Sequence, residues 1–138
     1  MTAPYSDKSI PHRTVLVVDD DPGVLRLVSL ILSDAGYHVI SAHDGVEGLE
    51  YLSAVKTDLM LLDLRMPVMD GWHVLERLRA TSSVPVAVIT EFSSEDDRQR
   101  CTMLGAVDYI EKPFLSYALT ERVARAIGGE NTSASFAR

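Results

Sequence analysis

Four short apolar runs in this chain each lead into polar side chains that can do chemistry. The runs and the residues that follow them are Val15–Val18 with Asp19 and Asp20, Leu59–Leu62 with Asp63, Val86–Ile89 with Thr90, and Val107–Ile110, interrupted by Asp108, with Glu111 and Lys112. Such runs are typical of buried strands. Because ligands bind at the carboxyl ends of parallel strands in open sheets, the pattern predicts one site that contains carboxylates, a hydroxyl and an ammonium group.

Helical patterns separate these runs, and a further strand is predicted early in the chain. The predicted strands are Thr14–Val18, His38–Ala42, Leu59–Leu62, Val86–Ile89 and Val107–Ile110. The predicted helices run from an N-cap at Asp21 to Gly36, over Gly45–Val55, after Gly71, over Ser94–Leu104 and over Ser116–Ile127. Five strands alternating with five helices predict a doubly wound α/β domain, with helices on both faces of a parallel sheet.

Apolar spacing predicts which face of each helix points inward. The inward residues are expected to be Val24, Leu27, Val28, Ile31 and Leu32 in the first helix, Val46, Leu49 and Leu52 in the second, Val74, Leu75 and Leu78 in the third, Cys101, Met103 and Leu104 in the fourth, and Leu119, Val123, Ala126 and Ile127 in the last. The fourth helix begins with seven polar residues, so we expect it to be the least stable element.

Length, composition and charge limit the classes of protein to which this chain can belong. The chain has 138 residues, 46% hydrophobic and 24% charged, which suits one domain; we expect a flexible lead over 1–12, the domain over 13–127 and a disordered tail over 128–138. The net charge of −7 and the lack of a basic patch argue against direct nucleic-acid binding and suit a cation or a basic partner. With one cysteine, no long apolar stretch and no signal peptide, the expected location is the cytoplasm, without membrane insertion.

Carboxylates gathered at one edge predict a metal site. Asp19, Asp20 and Asp63 would repel one another at neutral pH, and a divalent cation with oxygen ligands relieves that repulsion. Mg²⁺ prefers a few carboxylates together with water and phosphate, whereas the four histidines show no spacing typical of zinc ligands. Lys112 and Thr90 suit phosphoryl oxygens, and a carboxylate can itself accept a phosphoryl group. Asp63 is the candidate acceptor.

Together these motifs resemble the receiver domain of two-component response regulators. The matching segments are Val-Leu-Val-Val-Asp-Asp-Asp (15–21), Leu-Leu-Asp-Leu-Arg-Met-Pro-Val-Met-Asp-Gly (61–71), Val-Ile-Thr (88–90) and Asp-Tyr-Ile-Glu-Lys-Pro-Phe (108–114). The resemblance covers about residues 13–127 and implies a flavodoxin-like fold, a doubly wound five-stranded parallel sheet in the order 2-1-3-4-5. It implies a signalling domain without a separate enzymatic activity.

The resemblance also implies a role for each site residue. Asp63 would accept a phosphoryl group from the phosphohistidine of a sensor histidine kinase or a histidine phosphotransfer protein. Asp20, Asp63 and the backbone carbonyl of Arg65 would bind Mg²⁺ directly, and Asp19 would act through metal-bound water. Lys112 and Thr90 would contact the phosphoryl oxygens.

The same resemblance implies how the signal would leave the site. Tyr109 matches an aromatic switch residue that turns inward when Thr90 shifts, and the Lys112–Pro113 peptide bond would be cis. The protein would then act on a downstream target protein or pass the phosphoryl group on. Only 11 residues follow Ile127 in this sequence, so we expect a stand-alone receiver.

Three positions leave alternatives open. Glu91 stands where receivers commonly have a small residue. A receiver-fold interaction module that works without phosphate is therefore an alternative function. Arg65 and Phe92 occupy positions that tune the phosphorylated lifetime in this family, and a bulky Phe92 would lengthen it. Arg65 also argues against a phosphatase of the haloacid-dehalogenase type, which needs an acid two residues after its nucleophile.

Overall fold

The computed structural model describes residues 12–91 and 94–128, in which strands and helices alternate. The elements are β1 (Thr14–Val18), α1 (Pro22–Asp34), β2 (His38–Ala42), α2 (Gly45–Ala54), β3 (Leu59–Leu62), α3 (Gly71–Thr81), β4 (Val86–Thr90), α4 (Glu95–Met103), β5 (Asp108–Glu111) and α5 (Ser116–Ile127). The five predicted strands and five predicted helices are confirmed. The predictions for the first eleven residues, for Phe92 and for nearly all of the tail lie outside the described residues.

The sheet is parallel, and its register determines where the site forms. Its strand order is β2-β1-β3-β4-β5, which confirms the predicted topology. Val18 pairs with Leu62 and Thr90 pairs with Glu111, so the residues that follow these strands emerge at one edge. Backbone hydrogen bonds extend the pairing beyond the strands: the amide of Asp63 donates to the carbonyl of Val18, and the amide of Lys112 donates to the carbonyl of Thr90.

The core lies in two layers, because successive side chains of a strand point to opposite faces. One layer packs α2, α3 and α4 against alternate strand residues such as Leu16 and Met60. The other packs α1 and α5 against the intervening residues, such as Val17 and Leu61. All four residues of β3 are fully buried, as expected of a central parallel strand covered on both faces.

Three residues predicted to point inward are exposed instead. Leu27 is 51% exposed, Val46 is 43% exposed and Met103 is 85% exposed. Helix α1 is apolar at most positions between 24 and 32, so its spacing fits two faces, and packing selects the one with Leu25, which is buried. Helix α2 packs closely through buried glycines, which turns Val46 outward, and α4 buries only Cys101.

Gly71 begins α3 at a point where the chain leaves no room for a side chain. A Cβ atom there would lie 2.5 Å from the backbone oxygen of Asp63 and 2.6 Å from the Cα of Leu64. Both neighbours are backbone atoms, which cannot move aside without displacing the loop that holds Asp63. Gly71 therefore fixes the position of α3 against the end of β3.

Gly71→Ala should lower the free energy of unfolding by about 1 to 3 kcal/mol, because overpacking against backbone forces the chain to shift. Urea unfolding followed by circular dichroism measures the change. Gly23→Ala is the matched control: its Cβ would meet only the Asp21 carboxylate, at 3.2 Å, and the expected change is below about 1 kcal/mol. Equal losses in the two variants would contradict the steric account.

Candidate functional site

Three aspartates form a carboxylate cluster at the carboxyl edge of the sheet. Asp19 and Asp20 follow β1 and Asp63 follows β3, and one carboxylate oxygen from each lies within 4.8 Å of the others. Asp19 is fully buried and Asp63 is 5% exposed, whereas Asp20 is exposed. The structure therefore brings the three predicted acids together, and the cluster is accessible to solvent at Asp20.

Lys112 places an ammonium group beside two of these acids. Its Nζ donates to Oδ2 of Asp19 at 2.8 Å and lies 3.8 Å from Oδ2 of Asp63. The lysine reaches them from the turn after β5, where the Lys112–Pro113 peptide bond is cis, as predicted. Two strand ends that are far apart in sequence are thereby joined across the site.

Backbone donors hold the acids in place. Asp19 accepts a hydrogen bond from the amide of Asp21 at 2.9 Å, and Asp63 accepts one from the amide of Arg65 at 3.2 Å. The Asp21 carboxylate accepts from the amide of Gly23 at the start of α1, which confirms its predicted role as an N-cap. Each carboxylate is thus oriented by the turn that follows it.

The Asp63 carboxyl has a strongly shifted pKa. Burial raises it to about 6, and the negative charges of Asp19 and Asp20 add to the rise, whereas Lys112 and the amide of Arg65 oppose it. Burial lowers the pKa of Lys112, but the hydrogen bond to Asp19 and the charges of Asp63, Asp19 and Glu91 outweigh burial and raise it overall. The lysine therefore stays charged, and the site carries excess negative charge.

The donor set fits a hard divalent cation. Carboxylate oxygens from Asp19, Asp20 and Asp63 are the ligands that Mg²⁺ takes in proteins, and the exposed side of the cluster leaves room for water. No histidine belongs to this cluster among the residues described. Burial is the main cause of the raised pKa of Asp63, and the charges of Asp19 and Asp20 add to it; this added repulsion, which favours a proton, also favours a metal ion.

Thr90 ends β4 with a buried hydroxyl group. The residue is fully buried, and its Oγ1 has no hydrogen-bond partner among the described residues. Burying an unsatisfied hydroxyl is unfavourable, so such a group points to a ligand that is bound at some stage. Thr90 lies on the strand next to Asp63, which makes an anion held at Asp63 a suitable partner.

Tyr109 and Glu91 flank the site in different ways. Tyr109 is 2% exposed in β5, and the guanidinium of Arg98 lies 5.5 Å from the centre of its ring. Glu91 follows Thr90 and is exposed to solvent. The tyrosine therefore has an inward position, and its role as a switch stays a prediction.

An ion pair between β5 and α5 was missed from the sequence. Asp108 is fully buried in β5, and its carboxylate receives hydrogen bonds from Nε and Nη2 of Arg122 in α5, at 2.8 Å and 2.6 Å. In the sequence Asp108 reads as an interruption of an apolar strand. A buried acid needs a cation and hydrogen-bond donors, and that requirement is the signal that could have led to Arg122.

Comparison with known proteins agrees with this geometry. A family model described as the response regulator receiver domain matches residues 15–124. The probable transcriptional regulator ycf27 of Porphyridium aerugineum is 42% identical over 109 residues, which cover 79% of this chain and 45% of that protein. The transcriptional regulatory protein PrrA of Mycobacterium leprae is 41% identical over 133 residues, which cover 94% of this chain and 57% of that protein.

Solved structures show the same fold. The chemotaxis protein CheY4 of Vibrio cholerae superposes with a TM-score of 0.80 at 32% identity, over 84% of this chain and 99% of that one. A CheY-like receiver domain protein from Methanospirillum hungatei gives a TM-score of 0.81 at 28% identity, over 86% of this chain and 96% of that one. The chain therefore belongs to the response regulator receiver domains of two-component systems.

Two further observations concern how far the family assignment describes this protein. The chain spans about half the length of the curated relatives it matches. In the part of the chain that the structure describes, each helix is too short or too polar to cross a membrane.

Asp63→Asn should stabilise the metal-free fold near neutral pH. Because the folded-state pKa of Asp63 is raised to about 6, the native state holds a proton more tightly than the unfolded state, and stability falls as pH rises through this pKa. At pH 7.5 the variant should gain roughly 1 to 3 kcal/mol, from a shift of about two pKa units. Urea unfolding without Mg²⁺ measures the gain, which should shrink steadily between pH 6 and pH 4.

The exposed acid Glu50, on α2, supplies the control for this substitution. Glu50→Gln removes one charge far from the cluster and should change stability by less than about 0.5 kcal/mol. A gain in Asp63→Asn that is the same at pH 4 and at pH 7.5 would show that ionisation of the buried Asp63 is not its cause.

Proposed function

We propose that this receiver accepts a phosphoryl group on Asp63 from a phosphohistidine, with Mg²⁺ held at the carboxylate cluster. The observation that carries the proposal is the buried Thr90 hydroxyl, which has no hydrogen-bond partner among the described residues and ends the strand next to the Asp63 carboxylate. Lys112 lies 3.8 Å from the same carboxylate. A hydroxyl donor and an ammonium group beside a buried nucleophile suit an incoming phosphoryl group.

In the proposed transfer, Asp63 is the nucleophile. A carboxylate oxygen attacks phosphorus, the phosphorus–nitrogen bond breaks, and the imidazole of the donor histidine leaves with the electron pair of that bond. Asp63 must be ionised for this attack, and with a pKa raised to about 6 it is ionised at neutral pH. Its raised pKa also makes it more basic, and hence more nucleophilic, than an ordinary aspartate.

The other residues position charge around the transferred group. Asp20, Asp63 and the backbone carbonyl of Arg65 would hold Mg²⁺ directly, and Asp19 would do so through water. The ion neutralises charge on the acids and on the phosphoryl oxygens when it is bound. Lys112 donates to one phosphoryl oxygen and Thr90 to another, which gives the buried Thr90 hydroxyl its partner.

The proposed output runs from Thr90 to the side of the domain formed by α4 and β5. When Thr90 turns to the phosphoryl group, space opens beside it and Tyr109 adjusts its packing. The partners are a sensor histidine kinase or histidine phosphotransfer protein on the input side, and a downstream target protein or a further phosphorelay step on the output side. We place this domain, over residues 13–127, in the cytoplasm and without direct contact to nucleic acid.

A second candidate function is a receiver fold that binds a partner without phosphate. Glu91 favours it, because this exposed carboxylate directly follows Thr90 and its charge reaches Lys112. A negative charge at that place opposes an incoming phosphoryl group. The two functions differ in whether Asp63 can be phosphorylated at all.

Incubation with acetyl phosphate and Mg²⁺ should add one phosphoryl group to the wild-type chain, measured by intact mass. Asp63→Asn should add none, since the acceptor is gone, and Lys112→Ala and Thr90→Ala should be phosphorylated at least about tenfold more slowly. Asp96→Asn, an exposed acid on α4, is the control and should behave like the wild type. A wild-type chain that stays unmodified at every donor concentration, and with phosphoramidate, would favour the phosphate-independent module.

Mg²⁺ should stabilise the wild type through the carboxylate cluster. A ligand that binds only the folded state adds RT ln(1 + [L]/Kd), which is about 1.4 kcal/mol at ten times Kd. Unfolding in urea with and without 10 mM MgCl₂ measures this gain, and Asp20→Asn should lose most of it because a direct ligand is removed. Equal gains in Asp20→Asn and the wild type would place the ion elsewhere.

A further inference from the structure

Helix α4 is held to the domain by few apolar contacts. Its nine residues bury only Cys101, and Met103 is 85% exposed. A helix with so little buried apolar surface depends on polar contacts at its flanks, and it is easily displaced when one of them is lost. The polar contacts of α4 therefore decide how it responds to the site.

Three arginines tie α4 to its neighbours. Arg98 pairs with Glu111 of β5, and Arg100 stacks over the ring of Trp72 in α3 at 4.1 Å. The third arginine lies outside the helix: Arg65, in the loop after β3, places Nη2 3.7 Å from Oδ2 of Asp97 in the first turn of α4. Arg65 lies two residues after the Asp63 acceptor, so its contact with Asp97 links the acceptor loop to α4.

We propose that the Arg65 side chain is a further phosphoryl-binding group, which exchanges Asp97 for the phosphoryl group on Asp63. The inference rests on the proposed function and assigns one more residue to the same site. The contact between the acceptor loop and α4 is present without phosphate and is lost when the phosphoryl group arrives. Arg65 thereby couples the charge on Asp63 to the position of α4.

The geometry and the charges favour this exchange. The backbone amide of Arg65 already donates to the Asp63 carboxylate at 3.2 Å, so its side chain starts beside the acceptor. The side chain is 59% exposed and can move without disturbing the core. A phosphoryl group brings a charge of about −1.5 to −2 and three acceptor oxygens, which a planar guanidinium binds in pairs. Asp97 offers a single charge at 3.7 Å in a partly exposed pair, and such pairs are weak.

Competition for Arg65 predicts that a change at Asp97 alters ligand binding at Asp63. If Asp97 and the phosphoryl group compete for the guanidinium, removing Asp97 must strengthen binding at Asp63. Beryllofluoride with Mg²⁺ is the probe, as a non-covalent mimic of the phosphoryl group. Trp72 reports binding, because it is the only tryptophan of the chain and Arg100 of α4 lies against its ring.

The test compares Asp97→Asn with Asp96→Asn in fluorescence titrations. Both remove one acid from the first turn of α4, but the pair with Arg65 involves Asp97. Asp97→Asn should lower the dissociation constant of beryllofluoride roughly two- to fivefold, the range that an exposed ion pair supplies. Asp96→Asn should change it less than about 1.5-fold, because solvent and salt screen this exposed charge. In an Arg65→Ala background, the effect of Asp97→Asn should disappear.

Amide hydrogen exchange over 95–103 supplies a second readout. Beryllofluoride should speed exchange in α4 of the wild type, and Asp97→Asn should exchange fast already without the ligand. Equal affinities for the two asparagine variants, or an Asp97→Asn effect that persists in Arg65→Ala, would overturn the role of Arg65 alone. Failure of the wild type to bind beryllofluoride at all would overturn the proposed function, and this inference with it.

Discussion

The ion pair between Lys112 and Asp19 is the interaction on which the rest of the site depends. It is buried and 2.8 Å long, and it joins the end of β1 to the turn after β5. One ammonium group cannot neutralise three carboxylates, so negative charge remains in the cluster. Burial, together with the charges of Asp19 and Asp20, raises the pKa of Asp63 to about 6. A proton or a metal ion can relieve the negative charge of the cluster. The proposed metal site follows from this imbalance.

Repulsion among the clustered carboxylates lowers the stability of the fold, and the burial of the central strands offsets this loss. The four residues of β3 are fully buried between two helical layers, and β1 is almost as well covered. These strands keep the acids at fixed positions although the acids repel one another. Helix α4 is the opposite case, since it buries only Cys101 and relies on charged contacts. A rigid site beside a weakly held helix is an arrangement in which a change of charge can alter the surface.

Strand positions could be predicted from the sequence because most of the strands are short apolar runs with a clear end. The bounds of β1, β2, β3 and α5 match the predictions. The buried face of a helix was harder to predict. Helix α1 is apolar on more than one side, and only packing against the sheet decides that Leu25 is buried while Leu27 is not. Side-chain pairs between distant segments, such as Arg122 with Asp108, depend on the folded geometry and leave no local pattern.

The most direct test of the account is a crystal structure of the chain with Mg²⁺ and beryllofluoride. We expect beryllofluoride on the Asp63 carboxylate, with the Thr90 hydroxyl and the Lys112 ammonium group each donating to a fluorine, and the Mg²⁺ ion held by Asp20 and Asp63. In that structure the Thr90 hydroxyl, which has no partner among the residues described here, gains one. Beryllofluoride bound away from Asp63, or a Thr90 hydroxyl still without a partner when Asp63 is occupied, would contradict it.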